Sequence, residues 1–180
     1  MLPHDYFAKA LPYDDFLKKY GSATDKPRWD KARDAVAFTD SQSALLKLFT
    51  RPTHVLVLAG AWCGDCANNC PIFVRFAELA PCLDVRFLDR DEHADAQKEL
   101  QINGGNRVPV VVFFSEDGTE VARYGERTLT SYRKMVKAAV PGLPEFEEGL
   151  PAITSDWLRE FERVQWILRL SPRLRRLHGD

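Results

Sequence analysis

Two cysteines separated by two residues, Cys63 and Cys66, are the side chains of this sequence best suited to covalent chemistry. They belong to the segment Trp62-Cys63-Gly64-Asp65-Cys66, which lies between a predicted buried strand and a predicted helix. The free N–H groups and the positive end of the dipole at a helix start stabilise a thiolate on the first cysteine. The spacing therefore predicts thiol–disulfide exchange, in which Cys63 attacks a disulfide and Cys66 resolves the mixed disulfide.

The other two cysteines are open to more than one interpretation. Cys70 follows Cys66 by four residues, so the two share a helix face. It is a candidate regulatory or second resolving thiol, but its inward position favours a small buried hydrophobe. Cys82 is expected to be structural. Cys63, Cys66 and Cys70 would form a set of four metal ligands together with Cys82 or His93. Structural zinc sites usually have two separate Cys-x-x-Cys units, and this sequence has one, so no metal is expected.

Length and composition restrict the classes of protein to which the chain can belong. With 180 residues and 45% hydrophobic residues, it is long and apolar enough for one folded domain with an appendage. A net charge of −1 provides no field to attract nucleic acid or an anionic membrane, and no apolar run approaches the roughly 20 residues of a membrane span. Residues 1–17 lack the pattern of a secretory signal, so we expect a cytoplasmic protein with reactive thiols.

The elements that must position the cysteines follow from the alternation of short apolar runs with helical periodicity between residues 40 and 140. This alternation is typical of an α/β fold, a sheet flanked by helices. The run at 54–59 is apolar enough for a central strand, and the turn signal at 115–118 predicts an antiparallel hairpin. The predicted strands are 54–59, 85–89, 109–114 and 120–124, and the predicted helices are 41–49, 65–79, 93–102 and 128–140.

Segments on both sides of this unit are predicted to be mainly helical. We divide the chain into an N-terminal helical extension (1–39), a central domain (40–140), and a linker with a C-terminal amphipathic helix (141–180). Residues 141–144 form a Pro and Gly breaker cluster, which marks the linker. Residues 35–38 also suit an edge strand. The helices predicted in the extensions are 12–20, 27–38 and 153–170.

The cysteine motif and several separate features resemble the thioredoxin family over residues 40–140. Residues 62–66 are similar to the family's redox-active Trp-Cys-Gly-Pro-Cys, with Asp65 in the place of proline. The other matching residues are Pro71 at the family's helix-kinking proline, Val108-Pro109 at its cis-proline pair, and Gly125 at the glycine beside the same groove.

This resemblance implies a three-layer α/β/α fold with a central four-stranded mixed sheet, to which the N- and C-terminal helical extensions are added. It implies that Pro109 is cis and lies against the dithiol. The backbone of Val108 would then pair with an extended client chain, and the ring of Trp62 would cap the groove. Gly64 and Gly125 would support the same site.

The sequence also departs from the family at the site. Val57 stands where many thioredoxins have a buried aspartate that accepts a proton from the second thiol, so Asp65 or a water would have to replace it. A carboxylate at Asp65 also opposes ionisation of Cys63, against the effect of the helix dipole. Arg107 stands where glycine is frequent in the family. It either provides a cation near the thiolate, binds an acidic client, or is an exposed loop arginine.

The leading hypothesis is a thiol–disulfide oxidoreductase that reduces protein or small-molecule disulfides with the Cys63/Cys66 dithiol. No bound cofactor is expected, because electrons would come from a reductase or a low-molecular-weight thiol. One alternative is a non-catalytic adaptor in which the groove and the helix at 153–170 hold a partner. Another is monothiol deglutathionylation through Cys63, which would tolerate replacement of Cys66. Nucleic acid and membranes are not expected partners.

Overall fold

Within residues 3–180, which the computed structural model describes, four strands form one mixed sheet in the order β2-β1-β3-β4. β1 and β2 are parallel, whereas β1–β3 and β3–β4 are antiparallel. Helices flank the sheet, so the predicted α/β/α fold class and the central position of β1 are confirmed. The strands are β1 (Thr53–Ala59), β2 (Leu83–Asp89), β3 (Val110–Ser115) and β4 (Glu120–Gly125).

A 3₁₀ helix (Pro3–Lys9) precedes the α-helices of the described chain. None of the helices within that range has both the length and the apolar character to cross a bilayer. The α-helices are α1 (Tyr13–Tyr20), α2 (Asp25–Asp34), α3 (Asp40–Lys47), α4 (Gly64–Leu79), α5 (Ala94–Glu99), α6 (Leu129–Val136), α7 (Leu150–Leu170) and α8 (Pro172–His178).

The two faces of the sheet are covered by different parts of the chain. Because neighbouring side chains of a strand point to opposite faces, Phe113 and Phe114 lie on opposite sides of β3. Phe113 packs against Phe161 of α7, with ring centroids 4.9 Å apart. Phe114 instead packs against His4 of the 3₁₀ helix at 5.1 Å. The helix predicted at 153–170 is thus observed as α7, and it covers the core of its own chain.

The N-terminal helices bury one large aromatic residue. Trp29 of α2 is fully buried and packs against Phe16 of α1 and Phe87 of β2. Both extensions therefore contribute to the same hydrophobic core as the sheet. The division of the chain at residues 40 and 140 stays a prediction, and residues 1 and 2 of the first extension lie outside the described part.

Several predicted boundaries were wrong. The helix expected at 93–102 ends at Glu99, because a tight turn follows with positive φ at Asn103 (50°) and Gly104 (67°). The helix expected at 128–140 ends at Val136, and the helix expected at 27–38 ends at Asp34. Residues 36–39 are irregular, so the alternative of an edge strand at 35–38 was also wrong. The predicted hairpin at 115–118 is confirmed by the antiparallel pairing of β3 and β4.

Candidate active site

The segment that carries the two cysteines connects β1 to α4. Cys63 is the N-cap residue of α4, with extended backbone angles (φ −74°, ψ 127°). Its sulfur accepts a hydrogen bond from the backbone N–H of Cys66 at 3.4 Å. An N-cap acceptor of this kind satisfies one of the free donors at the helix start. The structure therefore places Cys63 where the N–H groups and dipole of α4 act on its sulfur.

The second cysteine lies behind the first. Cys66 is fully buried, in the first turn of α4. Burial raises the pKa of Cys66 well above its ordinary value. Cys63, at 9% exposure, lines a shallow groove of about 270 Å³. Of the two sulfurs, Cys63 is therefore the one that an incoming disulfide can reach first.

One wall of the groove is the start of β3 and the segment before it. The Val108–Pro109 peptide bond is cis. The Cys63 thiol donates a hydrogen bond to the Val108 carbonyl oxygen at 3.6 Å. Gly125, at the end of β4, lies directly beside this segment. Its φ is +153°, and a Cβ there would be 2.5 Å from the Pro109 carbonyl oxygen, so a larger residue would clash with the backbone.

Trp62 forms another wall and is not a core residue. It is 49% exposed, and its Nε1–H donates to the Asp91 carboxylate at 3.0 Å. The Arg90 guanidinium lies 4.6 Å from the centroid of the ring, a cation–π contact. These two contacts hold an exposed aromatic surface next to Cys63.

The loop before Trp62 is held by the N-terminal extension. The Ala61 carbonyl oxygen accepts hydrogen bonds from Trp29 Nε1 at 2.8 Å and from Arg28 Nη2 at 3.0 Å. Gly60 allows the Trp62 ring to approach, since a Cβ at Gly60 would lie 2.8 Å from that ring. Gly64, in contrast, has open space around the position of a Cβ, so nothing steric requires glycine there.

Asp65, between the two cysteines, is held in an ion pair. Its Oδ2 accepts a hydrogen bond from Arg127 Nη2 at 2.6 Å, in an ion pair across the groove. The residue six positions before Cys63, Val57, is fully buried and apolar. Whether Asp65 or a water accepts the proton of the second thiol stays a prediction; the Asp65 carboxylate is held by Arg127.

Arg107 is joined to a buried carboxylate. Its side chain is 66% exposed, and Nη1 donates to Glu126 Oε1 at 2.7 Å. The same oxygen accepts from Arg127 Nη1 and from the Tyr132 hydroxyl, both at 3.1 Å. No motif marks Glu126 or Arg127 in the sequence. The available signal is that two charged residues directly follow the glycine at 125.

The comparisons with known proteins agree with this geometry. A family model described as Thioredoxin matches residues 10–140. The chain belongs to the thioredoxin family. A curated relative, a thioredoxin H-type from Populus jackii, is 26% identical over 121 residues, which are 67% of this chain and 76% of the relative.

Two solved structures match this thioredoxin family member over most of its length. A Pseudomonas aeruginosa protein of unknown function superposes with a TM-score of 0.70 at 19% identity, and the match covers 87% of this chain and 95% of that one. An HIV epitope scaffold gives a TM-score of 0.63 at 18% identity, with 90% and 92% covered. At these identities, the two matches show the fold.

The remaining cysteines of this thioredoxin family member lie away from the groove. Cys70 is fully buried, and Cys82 is half-buried. The inward position predicted for Cys70 is confirmed, while a regulatory role for it stays a prediction. Among residues 3–180, no group of three or more His, Cys, Asp or Glu side chains is placed to bind a metal ion.

The rate at which iodoacetamide alkylates Cys63 is expected to keep rising with pH beyond 9. The hydrogen bond with the Cys66 thiol, and then burial, raise the pKa of Cys63 above its ordinary value of 9.0. Only the thiolate is nucleophilic. Because the pKa is raised, the thiolate fraction of Cys63 at neutral pH is smaller than that of a free cysteine. Mass spectrometry of the peptide containing residue 63 measures the rate. A plateau already reached near pH 7 would contradict the prediction.

Proposed function

We propose that this protein is a thiol–disulfide oxidoreductase that reduces protein or small-molecule disulfides through Cys63 and Cys66. The observation that supports it best is the order of the two sulfurs at the start of α4. Cys63 lines the groove, and Cys66 is buried behind it, with its backbone N–H donating to the Cys63 sulfur at 3.4 Å. A nucleophile that lines a groove and is backed by a second thiol is the arrangement that disulfide exchange requires.

The proposed reaction has two exchange steps. The Cys63 thiolate attacks one sulfur of the client disulfide, and the other client sulfur leaves as a thiolate that takes up a proton. Cys66 then loses its proton and attacks the Cys63 sulfur, which releases the second client thiol and forms a Cys63–Cys66 disulfide. The client gains two electrons and two protons. A reductase or a low-molecular-weight thiol reduces the Cys63–Cys66 disulfide again.

A raised pKa at Cys63 is compatible with this chemistry. The thiolate fraction is smaller, but a more basic thiolate is the stronger nucleophile, so the two effects partly cancel in the rate of attack. Trp62 and the backbone of Val108 supply the surface on which an extended client would lie. The proposed location is the cytoplasm, where reducing systems keep such a dithiol in its active form.

Titration of free thiols tests the dithiol mechanism directly. We expect mild oxidation to remove the Cys63 and Cys66 thiols together, with Cys70 and Cys82 remaining, because a disulfide consumes both sulfurs. Peptide mapping after alkylation identifies the thiols that are lost. If Cys63 and Cys66 stayed free while the protein still bound a partner, the adaptor hypothesis would replace this one. Loss of Cys63 alone would instead indicate a monothiol mechanism.

A further inference from the structure

The groove contains a chain of ion pairs that starts next to the nucleophile and ends in the protein interior. Arg127 donates from Nη2 to Asp65 at 2.6 Å and from Nη1 to Glu126 at 3.1 Å. Glu126 is 4% exposed, and Arg107 and Tyr132 also donate to the same Oε1. Three donors converge on one oxygen of this buried carboxylate, so its position is fixed and Glu126 is an anchor.

The planar guanidinium of Arg127 connects the buried Glu126 to Asp65, which lines the groove. Its N–H donors lie in one rigid plane, so attachment of one amino group to Glu126 sets the direction of the other. That other group meets Asp65, a residue of the first turn of α4. A lysine has one flexible ammonium and cannot reproduce this bridge between two carboxylates in a defined geometry.

We propose that Arg127 is a positioning residue that holds the Asp65 carboxylate in an ion pair and screens its negative charge from the Cys63 sulfur. The inference rests on the proposed function, because it concerns the reactivity of the same nucleophile. In thioredoxins with proline between the cysteines there is no carboxylate to screen. Arg127 is thus the partner that an aspartate at position 65 requires.

Several charged side chains surround Cys63, and an experiment must distinguish the effect of Arg127 from the effects of the others. Asp65 belongs to α4, Arg90 and Asp91 follow β2, Arg107 precedes β3, and Glu126 and Arg127 follow β4. Arg90 is paired with Asp91 at 2.7 Å, and Arg107 is paired with Glu126. Asp65 is therefore the acid nearest to Cys63 in sequence, and Arg127 is the cation paired with it. Because Arg127 also pairs with Glu126, its removal affects two carboxylates, and the Asp65 variants isolate the contribution of one of them.

A double-mutant cycle on Asp65 and Arg127 tests the proposal, with the rate of iodoacetamide alkylation at position 63 as the readout. In Arg127→Gln we expect the rate near pH 7 to fall about three- to tenfold and the pH profile to move to higher pH, because an uncompensated carboxylate disfavours the thiolate. In Asp65→Asn the rate should stay within about twofold of wild type, since the charge is already screened. Adding Arg127→Gln to Asp65→Asn should then cause no further loss.

Two further variants keep the outcome clear. Arg127→Lys should give an intermediate rate, because it restores the charge without the planar bridge. Arg176→Gln removes a charge of the same type from exposed α8 and should leave the rate unchanged. Circular dichroism checks that each variant is folded. If Arg127→Gln does not fold, Asp65→Asn alone tests whether the Asp65 charge is screened. An alkylation rate at Cys63 more than about tenfold above wild type would show that it is not screened in the wild-type protein.

The cycle distinguishes failure of this inference from failure of the proposed function. Alkylation needs no client and no electron donor, so its rates can be interpreted even if the protein reduces no disulfide. Equal rates in wild type and Arg127→Gln would overturn the positioning role and leave the oxidoreductase proposal standing. The same loss in the presence and absence of Asp65 would show that Arg127 acts on the structure of the groove instead.

Discussion

Replacement of Cys63 by serine is expected to abolish disulfide reduction. A serine hydroxyl does not ionise at accessible pH in this setting and cannot form the mixed disulfide, so the first exchange step has no nucleophile. With insulin as the client and dithiothreitol as the electron source, we expect the rate above the uncatalysed background to fall about 100-fold or more. Cys82→Ser is the matched control, because Cys82 is absent from the residues lining the groove, and it should keep wild-type activity.

Replacement of Cys66 by serine should stop the same reaction at its second step, the resolution of the mixed disulfide. In Cys66→Ser, Cys63 still attacks the client, but the buried thiol that would release it is missing, so a mixed disulfide accumulates. Non-reducing electrophoresis and mass spectrometry should detect this covalent adduct with the insulin chains, and Cys63→Ser should not form it. Full activity of Cys63→Ser would remove the proposed mechanism. Undiminished turnover of a glutathionylated client by Cys66→Ser would favour the monothiol alternative.

The cysteine pair could be located from sequence because its determinants are local. The apolar run that becomes β1 and the helix pattern that becomes α4 place Cys63 at their junction, and the structure has it there as an N-cap. Gly125 was predicted from the resemblance to the thioredoxin family, and the structure gives the physical reason for glycine at this position. Its φ of +153° and its approach to Pro109 leave space for glycine alone.

The electrostatic surroundings of the pair could not be predicted in the same way. Asp65 and Arg127 are 62 residues apart in the chain, and no spacing rule relates a residue of a helix start to the loop after a strand. The sequence does show that a carboxylate at position 65 opposes thiolate formation. It does not show that the carboxylate is paired, which decides the size of that effect. The helix predicted to run to residue 102 ends at Glu99, because the chain then enters a turn in which Asn103 and Gly104 have positive φ.

The contribution of α7 to the stability of the protein also depends on long-range packing. We expect Phe161→Ala to show how large this contribution is. The ring of Phe161 is 1% exposed and lies 5.5 Å from Phe73, 5.0 Å from Phe76 and 4.9 Å from Phe113, so it joins α7 to both α4 and β3. Truncation of a buried phenylalanine removes these contacts and leaves a cavity, which lowers the free energy of unfolding by about 3–5 kcal/mol.

Urea denaturation measures this loss, because the midpoint falls while the slope reports whether the transition stays cooperative. Leu170→Ala is the matched control: Leu170 is the last residue of α7 and 71% exposed, so its truncation should cost less than about 0.5 kcal/mol. Phe161→Leu, which keeps most of the apolar volume, should cost about 1 kcal/mol and remains measurable if the alanine variant does not fold. A Phe161→Ala protein as stable as Leu170→Ala would mean that the sheet and α4 form a self-sufficient core without α7. The expected loss would instead make α7 part of the unit that holds Cys63 in place, since α4, which begins directly after Cys63, packs against α7 through Phe73 and Phe76.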